Sequence, residues 1–216
     1  MIKAVVFDMD GVVIDSEIIH TRAIKEALKQ ELGLDVDKDE ILEYIGLFYP
    51  EKLEKILKKR NIQKDVNKLT ERAKMIFKGL TKHVRLMPGF LDLIKTVIKN
   101  NFKTALVSSS PRDYIEEISS MLDIEKYFDV IIAGDEVKNR KPNPECYLLT
   151  AKKLGLKPEE CLVIEDSVPG VIAAKEAGMK CIAKPNPYVK DGDFSRADMI
   201  VNSLEEIDLD TIKRFN

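Results

Sequence analysis

The sequence predicts an α/β protein: a doubly wound parallel sheet with an all-helical module inserted after its first strand. Three observations carry that expectation. Short β-branched apolar runs recur along the chain, and amphipathic helical stretches separate them. The segment from about Ser16 to Leu86 breaks the rhythm, with helical spacing and no such run. Strand alternating with helix is the signature of a parallel sheet covered on both faces.

Lys3 to Phe7 reads as a buried strand that ends at Asp8. Ile24, Leu28 and Leu32 then recur at helical spacing, and Gly33 ends that helix. Leu53, Ile56 and Leu57 mark another helix, and Leu69, Ala73, Ile76, Phe77 and Leu80 a longer one. Pro88-Gly89 restarts the alternation. Phe90 to Lys99 is a helix with Leu91, Ile94, Val97 and Ile98 on its apolar face. Strands follow at Lys103 to Val107, Asp129 to Ala133, Cys161 to Ile164 and Lys180 to Ala183. The segment after Pro144 carries Tyr147, Leu148, Ala151 and Leu154 along a helix. Residues 1–15 and 87–216 are therefore expected to form a core domain, and 16–86 a helical cap. Both crossings between them are short, so the cap is expected to hinge over the sheet's edge as a lid.

A length of 216 residues suits one main domain with a smaller insert. The chain is 44% hydrophobic and 33% charged with a net charge of −2, which argues against nucleic acid as a partner. No apolar run approaches the ~20 residues of a membrane helix. Met1-Ile2-Lys3-Ala4 enters a strand directly, unlike a signal peptide. Cys146, Cys161 and Cys181 show no paired metal or redox spacing. A cytoplasmic monomer is expected.

In open parallel sheets, ligands bind beyond the carboxyl ends of the strands. Four segments place chemistry there: Asp8-Met9-Asp10-Gly11, Ser108-Ser109-Ser110-Pro111, the loop holding Lys141, and Glu165-Asp166-Ser167. Each has an ordinary alternative. Asp-x-Asp-Gly is a common turn, Ser110-Pro111 suits a helix start, Lys141 alone would be a solvated loop lysine, and Glu165-Asp166 would cap a helix near Val168. Together, with one polarity, they point to a shared site. Clustered carboxylates call for a hard divalent cation, and Mg²⁺ takes a few carboxylate oxygens together with substrate phosphate. Asp8 suits a nucleophile toward phosphorus, giving an aspartyl-phosphate. Asp10 can protonate the leaving alkoxide and later deprotonate water. Lys141 offers a point charge, and Ser108 with neighbouring N–H groups can hold phosphoryl oxygens. Ser109 is a further candidate of the same loop.

The motif Asp8-Met9-Asp10-Gly11-Val12-Val13-Ile14-Asp15-Ser16-Glu17 resembles the first signature of the haloacid dehalogenase-like phosphotransferases. Ser108, Lys141 and Glu165-Asp166 stand in order where that superfamily keeps its other three signatures. The insert is similar to the cap of the subfamily holding β-phosphoglucomutase and many small-metabolite phosphatases. The resemblance implies Mg²⁺, with Mn²⁺ or Co²⁺ as substitutes, held by Asp8, the Asp10 main-chain carbonyl and Asp166. Glu165 is a further or indirect ligand. It also implies that His20 reaches the site from the cap. His83, Arg85 and Lys74 are read as surface residues.

Phosphatase and mutase differ in the cap. A mutase needs a second phosphate grip, which in β-phosphoglucomutases includes an arginine. The corresponding stretch here is Gly46-Leu47-Phe48-Tyr49-Pro50, and the nearest cations, Lys52 and Lys55, belong to the next helix. A charge-assisted hydrogen bond contributes roughly 1.5–3 kcal/mol, so the missing arginine favours a phosphatase acting on small phosphorylated metabolites. Phe48 and Tyr49 suit a neutral polyol face. A receiver-like phospho-acceptor module is the non-enzyme alternative. Asp10 and the large insert argue against it.

Overall fold

The computed structural model describes residues 1–44, 49–186 and 192–216. It divides into two compact units, one built from Met1–Asp15 with Arg85–Asn186 and the C-terminal segment, the other from Ser16–Val84.

The first unit holds six parallel strands: β1 (Ala4–Asp8), β4 (Lys103–Val107), β5 (Val130–Ile132), β6 (Cys161–Glu165), β7 (Lys180–Ala183) and β8 (Met199–Ile200). Their order is β5-β4-β1-β6-β7-β8. β1 lies between β4, with Ala4 opposite Lys103, and β6, with Ala4 opposite Cys161. The chain winds outward from β1 one way through β4 and β5, then the other way through β6, β7 and β8. The order therefore reverses at β1, which makes its carboxyl end the topological switch point. Every residue of β1 is buried. That is why the strand reads as an unbroken apolar run, as expected for parallel strands covered on both faces.

Phe7 anchors the packing on one side, meeting the rings of Phe90 and Phe128 edge-on at 5.8 and 6.2 Å. Helix α5 (Phe90–Lys99) buries Phe90, Leu93, Ile94 and Val97. The apolar stripe thus starts one residue earlier than the sequence reading set it, and Leu91 and Ile98 are exposed. Leu148 in α7 (Glu145–Leu154) is likewise exposed, while Tyr147, Ala151 and Leu154 are buried. Three short strands were not anticipated. β8 has two residues, and so do β2 (Ile14–Asp15) and β3 (Arg85–Leu86), which pair antiparallel. Runs that short carry no readable periodicity. The β2–β3 pairing brings residues 85 and 86 into the first unit, although the sequence reading starts the return to the core at 87.

The second unit contains α1 (Glu17–Leu32), α2 (Lys38–Leu42), α3 (Tyr49–Lys59) and α4 (Val66–Leu80). Ile24, Leu28, Ile41, Leu53, Ile56 and Leu69 belong to its own buried cluster. Gly33 ends α1 in the left-handed conformation at φ 67°, which a residue without Cβ adopts freely. Asp37 and Asp65 cap α2 and α4 by accepting from the N–H groups of Asp39 and Asn67. No helix among the described residues is long and apolar enough to cross a membrane.

Candidate active site

Asp8 is the last residue of β1 and is buried. The chain turns immediately beyond it: the N–H groups of Val13 and Ile14 both donate to the Met9 carbonyl, and Gly11 N–H donates to Ile14 at 2.8 Å. Gly11 carries φ +84°, and a Cβ built on it would fall 2.0 Å from Asp166 Oδ2. A side chain there would strain the backbone and displace the Asp166 carboxylate. The missing side chain lets the turn's backbone close onto the Asp166 carboxylate beyond the end of β6.

Lys141 ties the cluster together. Its Nζ donates to Asp8 Oδ1 at 2.5 Å and to Glu165 Oε1 at 2.6 Å. Its side chain is only 8% exposed, so the sequence alternative of a solvated loop lysine does not hold. Glu165 is fully buried and its two oxygens accept five donors. Oε1 takes Lys141 and the Tyr147 hydroxyl (2.9 Å), while Oε2 takes the N–H groups of Asp166 and Ser167 and the Ser167 hydroxyl. Tyr147 also lies beneath the Lys141 ammonium, 5.0 Å from ring centroid to Nζ. Burial opposes the Lys141 charge, but Asp8 and Glu165 outweigh it and hold the ammonium well above its ordinary pKa. Burial likewise pushes the Glu165 carboxyl up, yet Lys141 and the surrounding donors leave it below the usual range. Asp8 goes the other way: burial dominates and raises it well above a normal carboxylate, against the pull of Lys141.

Asp10 is half-buried, and its Oδ2 accepts from Ser108 Oγ at 3.3 Å and Ser110 Oγ at 3.5 Å. Ser108 Oγ in turn accepts from Ser110 N–H at 3.0 Å, which fixes the loop beyond β4. Ser110 does not begin the helix. Pro111 stands at the N-cap of α6 (Arg112–Met121), leaving the Ser110 hydroxyl to face Asp10. Ser109 contributes backbone packing, since a Cβ on Gly134 would meet its carbonyl at 2.2 Å. Nor does Glu165-Asp166 cap the next helix. Ser167 does so, accepting from Gly170 N–H at the start of α8 (Val168–Glu176).

In the helical unit, His20 Nδ1 lies 2.7 Å from the Tyr49 hydroxyl, and its ring stacks on Phe77 at 4.1 Å. Burial, with help from the Lys52 ammonium, lowers its pKa to about 3. Lys52 is buried, with Nζ 3.5 Å from Glu17. Tyr49 packs against the unit's own core. Of the stretch compared with the mutase loop, Gly46, Leu47 and Phe48 lie outside the described residues. Lys74 is exposed and pairs with Glu71, and His83 and Arg85 are exposed.

Sequence reading missed Lys184 and the bond that the Tyr147 hydroxyl makes to Glu165. Lys184 directly follows β7, is buried, and donates from Nζ to the Gly11 carbonyl at 2.9 Å. A charged residue directly after an apolar strand is the signal that pointed to Asp8, and Lys184 carries it too. Asp8, Glu165 and Asp166 present carboxylate oxygens within 4.8 Å of one another, a donor set that fits a hard divalent cation. With five donors already on Glu165, Asp8 and Asp166 are the carboxylates that could hold one.

A family model described as haloacid dehalogenase-like hydrolase matches residues 5–184. A phosphorylated carbohydrates phosphatase of Thermotoga maritima is 36% identical over 220 residues, covering 95% of this chain and 99% of that one. Hexitol phosphatase B of Escherichia coli is 31% identical over 214 residues, covering 95% and 94%. The solved β-phosphoglucomutase of Clostridium difficile aligns with a TM-score of 0.78 at 27% identity, covering 100% of this chain and 97% of that one. Fold and relatives define the class first: an α/β enzyme that hydrolyses phosphoric monoesters. More narrowly, the chain belongs to the haloacid dehalogenase-like hydrolases.

Proposed function

We propose that the chain is a Mg²⁺-dependent phosphatase of small phosphorylated carbohydrates that works through an aspartyl-phosphate on Asp8. The observation that carries this reading is Asp8 at the switch point, held by Lys141 at 2.5 Å within a cluster that includes Asp166. The carbohydrate assignment follows the phosphatases it resembles. Asp8, Asp166 and the Asp10 carbonyl would hold Mg²⁺, which would supply fixed positive charge for the phosphoryl oxygens. Mn²⁺ or Co²⁺ could substitute on the same oxygens.

Asp8 attacks phosphorus, forming a carboxylate–phosphorus bond as the ester bond to the sugar oxygen breaks. Asp10 gives that oxygen its proton, then takes one from the water that releases phosphate and regenerates Asp8. Ser108 and Ser110 aim Asp10 for both transfers. Lys141 neutralises phosphoryl charge while Glu165 and Tyr147 fix its position. Ser108, Ser109 and the N–H groups of their loop hold phosphoryl oxygens. His20, with Nδ1 beside the Tyr49 hydroxyl, is a further candidate for substrate recognition.

The test is phosphate release from a panel of sugar phosphates, including β-glucose 1-phosphate with a trace of the 1,6-bisphosphate. The wild type should release phosphate from several substrates, and Asp8→Asn should fall to background with its fold intact. A variant keeping about a tenth of normal turnover would overturn the covalent reading. Rapid conversion to glucose 6-phosphate with little free phosphate would show a mutase instead.

A further inference from the structure

The cluster holds a second buried cation that the proposed chemistry does not use. Lys184 is 5% exposed, and its ammonium donates to a neutral partner, the Gly11 carbonyl, at 2.9 Å. Its own N–H donates to the Glu165 carbonyl at 2.7 Å, which locks its backbone beside β6. Burying an ammonium against a neutral acceptor is costly unless carboxylates lie near. Here they do. Burial pulls the Lys184 pKa below its ordinary value, while Asp166 and Asp15 both favour its charge. The Gly11 turn that Lys184 grips is the one that closes onto Asp166.

We propose that Lys184 is a resident counter-ion of the metal site, which holds the Gly11 turn beside Asp166 in the metal-free protein and weakens metal binding by its own charge. The inference rests on the metal reading above. An ammonium beside the carboxylates repels an incoming cation, so removing its charge should tighten binding. The same removal leaves the carboxylates less balanced when no metal is bound. Both effects enlarge the stabilisation that metal confers.

The experiment uses the full chain with Mg²⁺ alone, read by calorimetric titration and by thermal unfolding with and without chelator. Lys184→Gln keeps a donor for Gly11 but loses the charge, and Lys184→Met loses both. In both variants the Mg²⁺ half-saturation should fall about tenfold, equivalent to about 1.4 kcal/mol, with a larger Mg²⁺-induced rise in Tm. Lys180→Gln removes the same net charge at an exposed site paired with Asp198 and should leave the half-saturation unchanged. Should Lys184→Met fail to fold in chelator, Lys184→Gln decides. Unchanged or weaker binding in Lys184→Gln, with a normal wild-type response, overturns this inference alone. A wild type that does not respond to Mg²⁺ overturns the metal reading as well.

Discussion

Acidification should destabilise the helical unit through His20. Its folded pKa of about 3 lies below the 6.5 of an ordinary histidine, because burial and the Lys52 charge disfavour the imidazolium. The sign follows from which state binds the proton. Between those values the unfolded chain is protonated and the folded one is not, so stability is complete above pH 6.5 and is lost as pH falls toward about 3. At about 1.4 kcal/mol per unit, the loss at about pH 5 has an upper bound of about 2 kcal/mol. His20 is half-buried, so about 1 kcal/mol is the expected figure. The protein has no tryptophan, so urea unfolding is followed by far-UV circular dichroism at about pH 7 and about pH 5. His20→Gln should lose less stability than the wild type over that interval. Parallel pH dependences would refute the argument. So would an imidazole signal titrating at its ordinary value in His83→Gln, a variant in which His20 is the sole histidine.

Three further perturbations address the core unit. Tyr147→Phe removes a buried donor from an ionised carboxylate and should cost about 1.5–3 kcal/mol in denaturant unfolding, with weaker inhibition by inorganic phosphate as Lys141 loses its support; an unchanged inhibition constant would deny the positioning role. Gly170→Ala would set a Cβ 1.7 Å from Glu165 Oε1, so turnover should collapse together with Tm, and a variant of normal activity would contradict the packing. Asp10→Asn should slow hydrolysis of sugar phosphates by about 10²–10⁴-fold and that of p-nitrophenyl phosphate far less, since its leaving group needs little protonation. Equal losses would remove Asp10 from the proton transfers.

Much of this fold was legible because parallel strands buried on both faces leave unbroken apolar runs, as at Ala4–Asp8 and Cys161–Glu165. The strand-end groups were legible for a related reason: polar residues directly after such runs stand out. Lys184 meets the same criterion and was passed over because a lone lysine has no partner visible in sequence. Tyr147 was read as a core residue from its helical spacing, and its ring is indeed buried. Its hydroxyl bond to Glu165 depends on α7 meeting β6, and no periodicity encodes that. Ser110 was read both as a helix start before Pro111 and as a ligand, and the loop's tie to Asp10 removes the first of these.

The placement of β1 also governs the order in which the molecule can be made. The strand is made before both of its partners, since Ala4 pairs with Lys103 and Cys161. At about 5–20 residues per second, the ribosome needs about 5–20 s to travel from Asp8 to Val107, and longer to reach β6. Throughout that interval this buried, mostly apolar strand has no sheet to join. The helices between them make local contacts and form in well under a second. A finished helical body would then trail an unpaired strand, a species suited to chaperone capture and exposed to association with its neighbours on a polysome.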